Sequence, residues 1–345
     1  MTAEYDPLLL PLTSEILDTT LRDGSYAVDF QFDENFVVEL MRRLDATPIE
    51  KIEIAHGVGY EAERAGNRPG SIPLHRWCEL AATHLRSSTW GAFAQPSFSR
   101  LETMSELVAA GMTFVRVGME AEKIEANLGY LRRATEICGQ VYLNLMKSSS
   151  TPYQALPELL KDVPREVAGV YVVDSYGSMM PSDVHRYVSV VLRSFPVVGF
   201  HGHNNLGLAN ANSIAALTAG ASIVDGTLHG FGRGSGNAET ESLAGILAVK
   251  GEDRYDYREL SRMAEFCREH LEVLPDNRNM QVLGGVLGVH SNYYQLVEDL
   301  CAQHRLDPAS VMEKAADLAT RSVDGADIRA AAELLAVPAT VGARA

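Results

Sequence analysis

Short runs of apolar and β-branched residues alternate along the chain with stretches whose apolar positions recur every three or four residues. The short runs fall at Glu15–Thr19, Lys51–Ala55, Thr89–Ala94, Phe114–Gly118, Val141–Met146, Gly169–Asp174, Val197–His203 and Ser222–Thr227. Several are apolar throughout, as in Val170-Tyr171-Val172-Val173, a pattern that suits parallel strands covered on both faces. Between them, Glu34–Leu44 places Phe36, Val37, Leu40, Met41 and Leu44 on one face of a helix. Ser99–Ala110 reads as another helix, stopped at Gly111. Eight such units in about 235 residues predict a (β/α)8 TIM barrel, which typically takes about 250. An open, doubly wound sheet is the other arrangement that the pattern allows, because strand order cannot be read from periodicity.

From Glu252 the texture changes. Tyr257–Leu271 and Asn292–His304 read as amphipathic helices, and in the second Tyr294, Val297, Leu300, Cys301 and His304 form a stripe. Asp307-Pro308-Ala309-Ser310 opens another helix, and Gly325 precedes an Ala/Leu-rich one. The expected organisation is a barrel over residues 15–250 and a helical C-terminal module over 252–337, with the chain loosely held from Pro338.

Composition narrows the function classes. With 46% hydrophobic and 22% charged residues, the 345-residue chain is globular rather than disordered. Its net charge of −15 argues against nonspecific binding to nucleic acid or anionic lipid. A small anionic substrate remains open, since one nearby Arg or metal ion outweighs a distant average. No apolar stretch reaches the roughly 20 residues of a membrane-spanning helix. The Met1–Asp6 start lacks a basic region, and Pro11 breaks the Leu8–Leu10 run, so no signal peptide is expected. Cys78, Cys138, Cys267 and Cys301 are scattered with no C-x-x-C pair, which predicts a reduced, cytoplasmic protein.

The candidate chemistry lies at strand ends. His201 and His203, in Phe200-His201-Gly202-His203-Asn204-Asn205, are two apart on a strand and so point to one face. They are either a pair of metal ligands or two unrelated polar histidines. Asp23, in Leu17-Asp18-Thr19-Thr20-Leu21-Arg22-Asp23-Gly24, follows the first strand. By itself it reads as a turn cap. In a barrel, alternate strands feed the same interior layer, and strands one and seven are both odd, so Asp23 can meet the two histidines. Two imidazoles and a carboxylate suit an octahedral divalent ion such as Mn2+, Mg2+, Co2+ or Fe2+. Arg22 cannot lose its proton, which fits an electrostatic role.

These residues carry a resemblance. Asp18-Thr19-Thr20-Leu21-Arg22-Asp23-Gly24 together with His201-Gly202-His203-Asn204-Asn205-Leu206-Gly207-Leu208-Ala209 resembles the DRE-TIM metallolyase superfamily, and within it the 4-hydroxy-2-oxovalerate aldolases, class II pyruvate aldolases. Ile52–Gly57, Asp174–Met179, the glycine-rich Gly230–Ala238 and the C-terminal module extend the similarity over about residues 15–335. The resemblance implies a divalent ion, Mn2+ first and Mg2+ or Co2+ as alternatives, held by Asp23, His201 and His203 and chelating a 2-oxo acid. It further implies that Arg22 stabilises the pyruvate enolate and that Ser175 holds the substrate carboxylate. The partners implied are a small 2-oxo acid and an aldehyde, an acylating aldehyde dehydrogenase that receives the aldehyde, and further copies of the chain in a homo-oligomer.

Two positions depart from the family pattern. Where the family has a histidine in a Gly-Ser-His context, this chain has Tyr26, in Gly24-Ser25-Tyr26; where it has a tyrosine in a Gly-Val-Tyr-Ser context, this chain has His290, in Gly288-Val289-His290-Ser291. The side chains look exchanged. With ordinary pKa values near 6.5 for His and near 10 for Tyr, the imidazole is the better base at neutral pH. His290 is therefore expected to take the proton of the substrate hydroxyl while Tyr26 donates a hydrogen bond. The exchange leaves the aldehyde and the stereochemistry open, and cleavage and biosynthetic addition are both compatible with it.

His56 is expected either to contact substrate or to sit hydrogen-bonded behind the site. Gly230–Gly236 does not match G-x-G-x-x-G spacing and reads as a substrate-facing loop, with Asn237 a further polar contact. His185, His229, His270 and His304 have no partner pattern. Three other functions use related features. An acyl-CoA-dependent Claisen-type synthase or a hydroxymethylglutaryl-CoA lyase-like enzyme belongs to the same superfamily, but the lyases carry a cysteine in the glycine-rich loop and residues 230–238 contain none. A non-catalytic partner protein would have no use for an intact ligand set. An iron(II) oxygenase uses the same two-His, one-carboxylate ligands.

Overall fold

A computed structural model describes residues 14–274 and 277–336. The N-terminal Met1–Pro11 segment and the tail from Pro338 discussed above lie outside the described residues. Eight parallel strands close into a barrel in chain order. They are β1 Glu15–Asp18, β2 Lys51–Glu53, β3 Thr89–Ala94, β4 Phe114–Glu120, β5 Gln140–Met146, β6 Gly169–Asp174, β7 Val198–Gly202 and β8 Ile223–Gly226. β1 closes the ring by pairing with both β2 and β8, with Leu17 opposite Lys51 on one side and Asp225 on the other. The open-sheet alternative is thereby excluded. Strand ends differ from the expected runs by only a residue or two.

Helices α1 Glu34–Asp45, α2 Leu74–His84, α3 Leu101–Ala109, α4 Ile124–Ile137, α5 Leu156–Leu159, α6 Pro181–Val191, α7 Ala209–Thr218 and α8 Thr240–Val249 follow the strands in turn. α1 shows why the sequence folds this way locally. Asp33 caps it, accepting from the Phe36 N–H at 3.0 Å, and its five expected apolar residues are buried against the strands. Each such side chain contributes roughly 1.5–3 kcal/mol on burial.

The barrel interior is layered. At the bottom, Leu17, Phe114, Tyr142, Tyr171, Val173 and Ile223 form a closed apolar plug. Two inward glycines make room for its rings: a Cβ on Gly91 would meet Phe114 at 2.4 Å, and one on Gly199 would meet Tyr171 at 2.4 Å. Above the plug the inward positions turn charged, with Glu53, Arg116 and Asp225 all fully buried.

Five further helices complete the chain: α9 Tyr257–His270, α10 Arg278–Leu287, α11 Tyr294–His304, α12 Pro308–Leu318 and α13 Gly325–Ala336. The amphipathic pattern grouped α9 with the C-terminal module that starts at 252. The structure packs it on the barrel instead. Leu260, Met263, Ala264 and Cys267 join the barrel core, Phe266 stacks on Phe36 of α1 at 5.4 Å, and the Tyr255 hydroxyl accepts from the Ile16 N–H of β1 at 3.0 Å. A second, separate core begins at Met280 and runs to Ala332.

Candidate active site

β1 ends in a tight turn that sets Asp23 over the barrel mouth. The Asp23 N–H donates to the Thr19 carbonyl at 2.8 Å. Asp18 fastens the turn from below, accepting from the Thr20 N–H at 2.9 Å and the Thr240 hydroxyl at 2.8 Å. β7 brings His201 to the same place, and the strand repeat of two carries His203 beside it, with ring centres 5.0 Å apart. Asp23, His201 and His203 each offer one ligand atom, all within 4.8 Å of one another, and all three residues are buried.

The groups behind these three fix their charge and orientation. Burial raises the Asp23 carboxyl, but Arg22, His201 and His203 outweigh it and hold the group well below the usual carboxylate range. Asp23 Oδ1 also accepts from Asn237 Nδ2 at 2.9 Å. His201 Nδ1 lies 2.7 Å from Asp225 Oδ2. Burial pushes Asp225 upward, yet Arg116 and then His201 hold it below the usual carboxylate range, so its oxygen accepts from a proton-bearing Nδ1; His201 Nε2 lies 3.9 Å from Asp23 Oδ2. Burial pushes His203 down to about 3, which leaves that imidazole neutral. A carboxylate behind a histidine in this way raises the basicity and fixes the aim of a metal ligand.

The charges close into a ring. Asp23 pairs with Arg22, Arg22 with Glu53 (Nε to Oε2, 2.6 Å), Glu53 with Arg116 (Nε to Oε1, 2.7 Å), Arg116 with Asp225, and Asp225 with His201. Arg22 also lies 4.9 Å from the Phe93 ring centre. Its Nη2 makes no hydrogen bond among the described residues and is left to the cavity.

That cavity measures about 200 Å3, and its walls include Arg22, Asp23, Tyr26, Asn144, Lys147, Ser175, His201, His203, Arg233 and His290. The Ser175 hydroxyl accepts from the Lys147 N–H at 2.8 Å. Burial, followed by Arg233 and Lys147, holds His290 well below the ordinary histidine pKa, while burial raises Tyr26. His290 arrives from beyond the barrel core, at the start of the turn Ser291–Tyr293, where its Nδ1 accepts from the Asn292 N–H at 3.5 Å.

Of the residues singled out in the sequence, Arg22, Asp23, Tyr26, Ser175, His201, His203 and His290 therefore share one cavity. Two do not line it. Asn237 is buried behind Asp23, holding its Oδ1 and the Phe231 carbonyl. His56 lines a neighbouring cavity, stacks on Phe30 at 4.0 Å, and spends both ring nitrogens on backbone: Nε2 at the Arg68 carbonyl (2.9 Å) and Nδ1 at the Val58 N–H (3.2 Å). Sequence reasoning passed over Glu53, Arg116, Asp225, Asn144, Lys147 and Arg233. Strand-end position and inward parity were the available signals for the first four; Arg233 could have been noticed as a cation within a glycine-rich loop.

Comparisons with known proteins bear on the family and the fold. The HMGL-like family model matches residues 13–267. The oxaloacetate decarboxylase of Mycobacterium tuberculosis is 38% identical over 240 residues, 68% of this chain and 70% of that protein. The 4-hydroxy-2-oxovalerate aldolase of Spirochaeta aurantia is 33% identical over 308 residues, 86% of this chain and 88% of that protein. Among solved structures, the carboxyl transferase domain of Rhizobium etli pyruvate carboxylase superposes with a TM-score of 0.76 at 12% identity, covering 94% of this chain and 60% of that one. The HMG-CoA lyase of Bacillus subtilis gives 0.64 at 19% identity, covering 79% and 99%. These two likenesses bear on the fold alone.

Proposed function

The chain belongs to the HMGL-like family, and from that premise we propose that it is a carbon–carbon lyase that uses a divalent ion to make or cleave a 4-hydroxy-2-oxo acid, joining or separating pyruvate and an aldehyde. The observation that carries this reading is the convergence of Asp23, His201 and His203 beside Arg22 in one cavity. One ionised carboxylate and two imidazoles, His201 aimed by Asp225 and His203 kept neutral by burial, fit a divalent cation, with Mn2+ first and Mg2+ or Co2+ as alternatives. Such an ion supplies Lewis-acid stabilisation of negative charge on the 2-oxo group.

The chain's own residues supply the rest. The Arg22 guanidinium, clamped by Glu53 and Asp23, holds a permanent positive charge where the enolate's negative charge develops. Ser175 accepts from the Lys147 backbone, which directs its own hydroxyl proton toward the substrate carboxylate. His290 is neutral at physiological pH and takes the proton of the substrate hydroxyl. Its 3.5 Å contact with the Asn292 N–H is at the outer limit of a hydrogen bond, so the tautomer with a bare Nε2 forfeits little. Tyr26, kept protonated by burial, donates a hydrogen bond to the same oxygen.

Decarboxylation of oxaloacetate is the second reading, favoured by the likeness to the mycobacterial decarboxylase. Loss of that carboxylate leaves the same pyruvate enolate and calls on the same Arg22. The two are separated by pyruvate release from 4-hydroxy-2-oxovalerate and from oxaloacetate, assayed with protein stripped by a chelator and reloaded with Mn2+. Aldol cleavage that vanishes on stripping, returns with Mn2+, and falls by about 1,000-fold or more in Asp23→Asn is the expected outcome. Full cleavage activity in excess chelator would sink the proposal. Self-association and a dehydrogenase partner belong to the same reading, checked by sizing the purified protein and by co-purification. So does a reducing, cytoplasmic location, with which four free cysteines are consistent. Among the described residues no helix is long and apolar enough to cross a membrane.

A further inference from the structure

Three cations and two carboxylates face the cavity: Arg22, Lys147 and Arg233 against Asp23 and Glu120. Arg22 is tied to Asp23 and Glu53, and Lys147 Nζ lies 3.0 Å from Glu120. Arg233 has no carboxylate partner among the described residues. Its stem is nevertheless fixed. The backbone N–H donates to Asp23 Oδ1 at 3.3 Å, Nε donates to the Ser291 hydroxyl at 3.0 Å, and the guanidinium lies 5.1 Å from the centre of the Tyr26 ring. Nη1 and Nη2 make no hydrogen bond within the described residues. The loop that carries it is closely seated: a Cβ on Gly232 would meet Asn237 Nδ2 at 2.1 Å and Asp23 Oδ1 at 2.8 Å.

A guanidinium held by its stem and stacked on a ring, with both terminal nitrogens free, is prepared for bidentate recognition of a carboxylate. Its neighbours fix which end of the substrate it meets. Tyr26 lies under it, and Ser291 follows His290, so it stands beside the pair assigned to the hydroxyl proton. We propose that Arg233 binds a second carboxylate, at the end of the substrate remote from the 2-oxo acid group. The aldehyde taken by this enzyme is then one that itself bears a carboxylate, and the 4-hydroxy-2-oxo acid is a dicarboxylate. This inference rests on the lyase reading above.

The chemistry balances without another reactant. A methyl C–H of pyruvate breaks, its carbon bonds to the aldehyde carbon, and the aldehyde oxygen gains a proton. Charge argues for the same substrate. Two of the three cations are already paired with protein carboxylates, whereas among the described residues the third meets only a hydroxyl and a ring. Oxaloacetate fits this residue poorly, because a carboxylate leaving as CO2 must surrender its charge to the remaining carbons, and a guanidinium bound to it holds that charge in place.

The test compares pyruvate addition to succinic semialdehyde and to butanal, aldehydes of equal chain length with and without the carboxylate, in the metal-loaded wild type, Arg233→Gln and Arg233→Lys. The wild type is expected to favour the acid by about tenfold or more in kcat/KM, chiefly through KM, as a charge-assisted bidentate contact allows. Arg233→Gln should collapse that ratio toward one, and Arg233→Lys should restore part of it. A wild-type ratio near one, or a ratio that survives Arg233→Gln, overturns the proposal and leaves Arg233 as a strut between the glycine-rich loop and Ser291. Deuterium exchange into the pyruvate methyl group, followed by NMR with no aldehyde present, separates the two levels. Exchange without a preference for the acid refutes only the role of Arg233; absence of exchange in the wild type refutes the lyase reading and this inference with it.

Discussion

Glu241 illustrates how burial decides a single side chain's charge. It stands in the first turn of α8, half-buried, and accepts from the His229 N–H at 3.1 and 3.2 Å. Burial pushes it from 4.5 up to about 7. An acid whose folded pKa exceeds its unfolded value adds stability that is complete below pH 4.5 and is lost as pH rises through about 7. Glu241→Gln keeps an acceptor for the His229 N–H and removes the charge. It should raise unfolding free energy at pH 8 by about 1–3 kcal/mol and change little at pH 4, as read by urea titrations at both values. The metal-ligand candidates at this scale were legible because short polar motifs at strand ends break an otherwise apolar run. His56 and Asn237 show the limit of that signal. Both sit at the catalytic end of the barrel, but sequence does not reveal that backbone groups and Asp23 have already claimed their polar atoms.

At the scale of elements, the strands were legible from β-rich runs and the charged interior was not. In Lys51-Ile52-Glu53-Ile54 and Phe114-Val115-Arg116-Val117 the alternation reads as one apolar face and one face in water. In the barrel the apolar face lies under the helices and the polar face points inward, where Glu53, Arg116 and Asp225 neutralise one another out of contact with solvent. All three come from even-numbered strands, consistent with the alternate-strand layering of such barrels. A ring of this kind is hard to open at one link. Arg116→Met would take one cationic partner from each of two buried carboxylates, leaving Glu53 to Arg22 and Asp225 to His201, and is expected to cost about 3–5 kcal/mol of stability, measured by chemical denaturation. Asp225→Asn should leave the fold in place and weaken Mn2+ binding by about 10–100-fold in isothermal titration, because His201 loses the partner that aims its Nε2. Unchanged affinity in that variant would mean that the strand alone positions the imidazole.

Across the whole molecule, the chain segments that carry two separate hydrophobic cores both contribute walls to the active cavity. The first includes the barrel and α9; the second spans Met280–Ala332. The change of texture near Glu252 was visible in the sequence, but not that α9, grouped there with the C-terminal module, shares its buried face with the barrel core. Helical periodicity shows that one face is covered, and says nothing about which neighbour covers it. A chain ended after Leu271 keeps the first core and the Asp23, His201, His203 set, and loses His290 and Asn292 from the cavity wall. It is expected to retain barrel-like circular dichroism and bound Mn2+ while aldol turnover falls by about 100-fold or more, the scale of a lost acid–base group. Turnover close to that of the full chain would show that His290 does not touch the reaction. The contribution of His290 from the second core also bears on how the protein comes into being. The ion-binding strands leave the ribosome long before residue 290 is made, so on the proposed roles a nascent polypeptide is expected to load its metal early and to stay chemically silent until the last helices have docked.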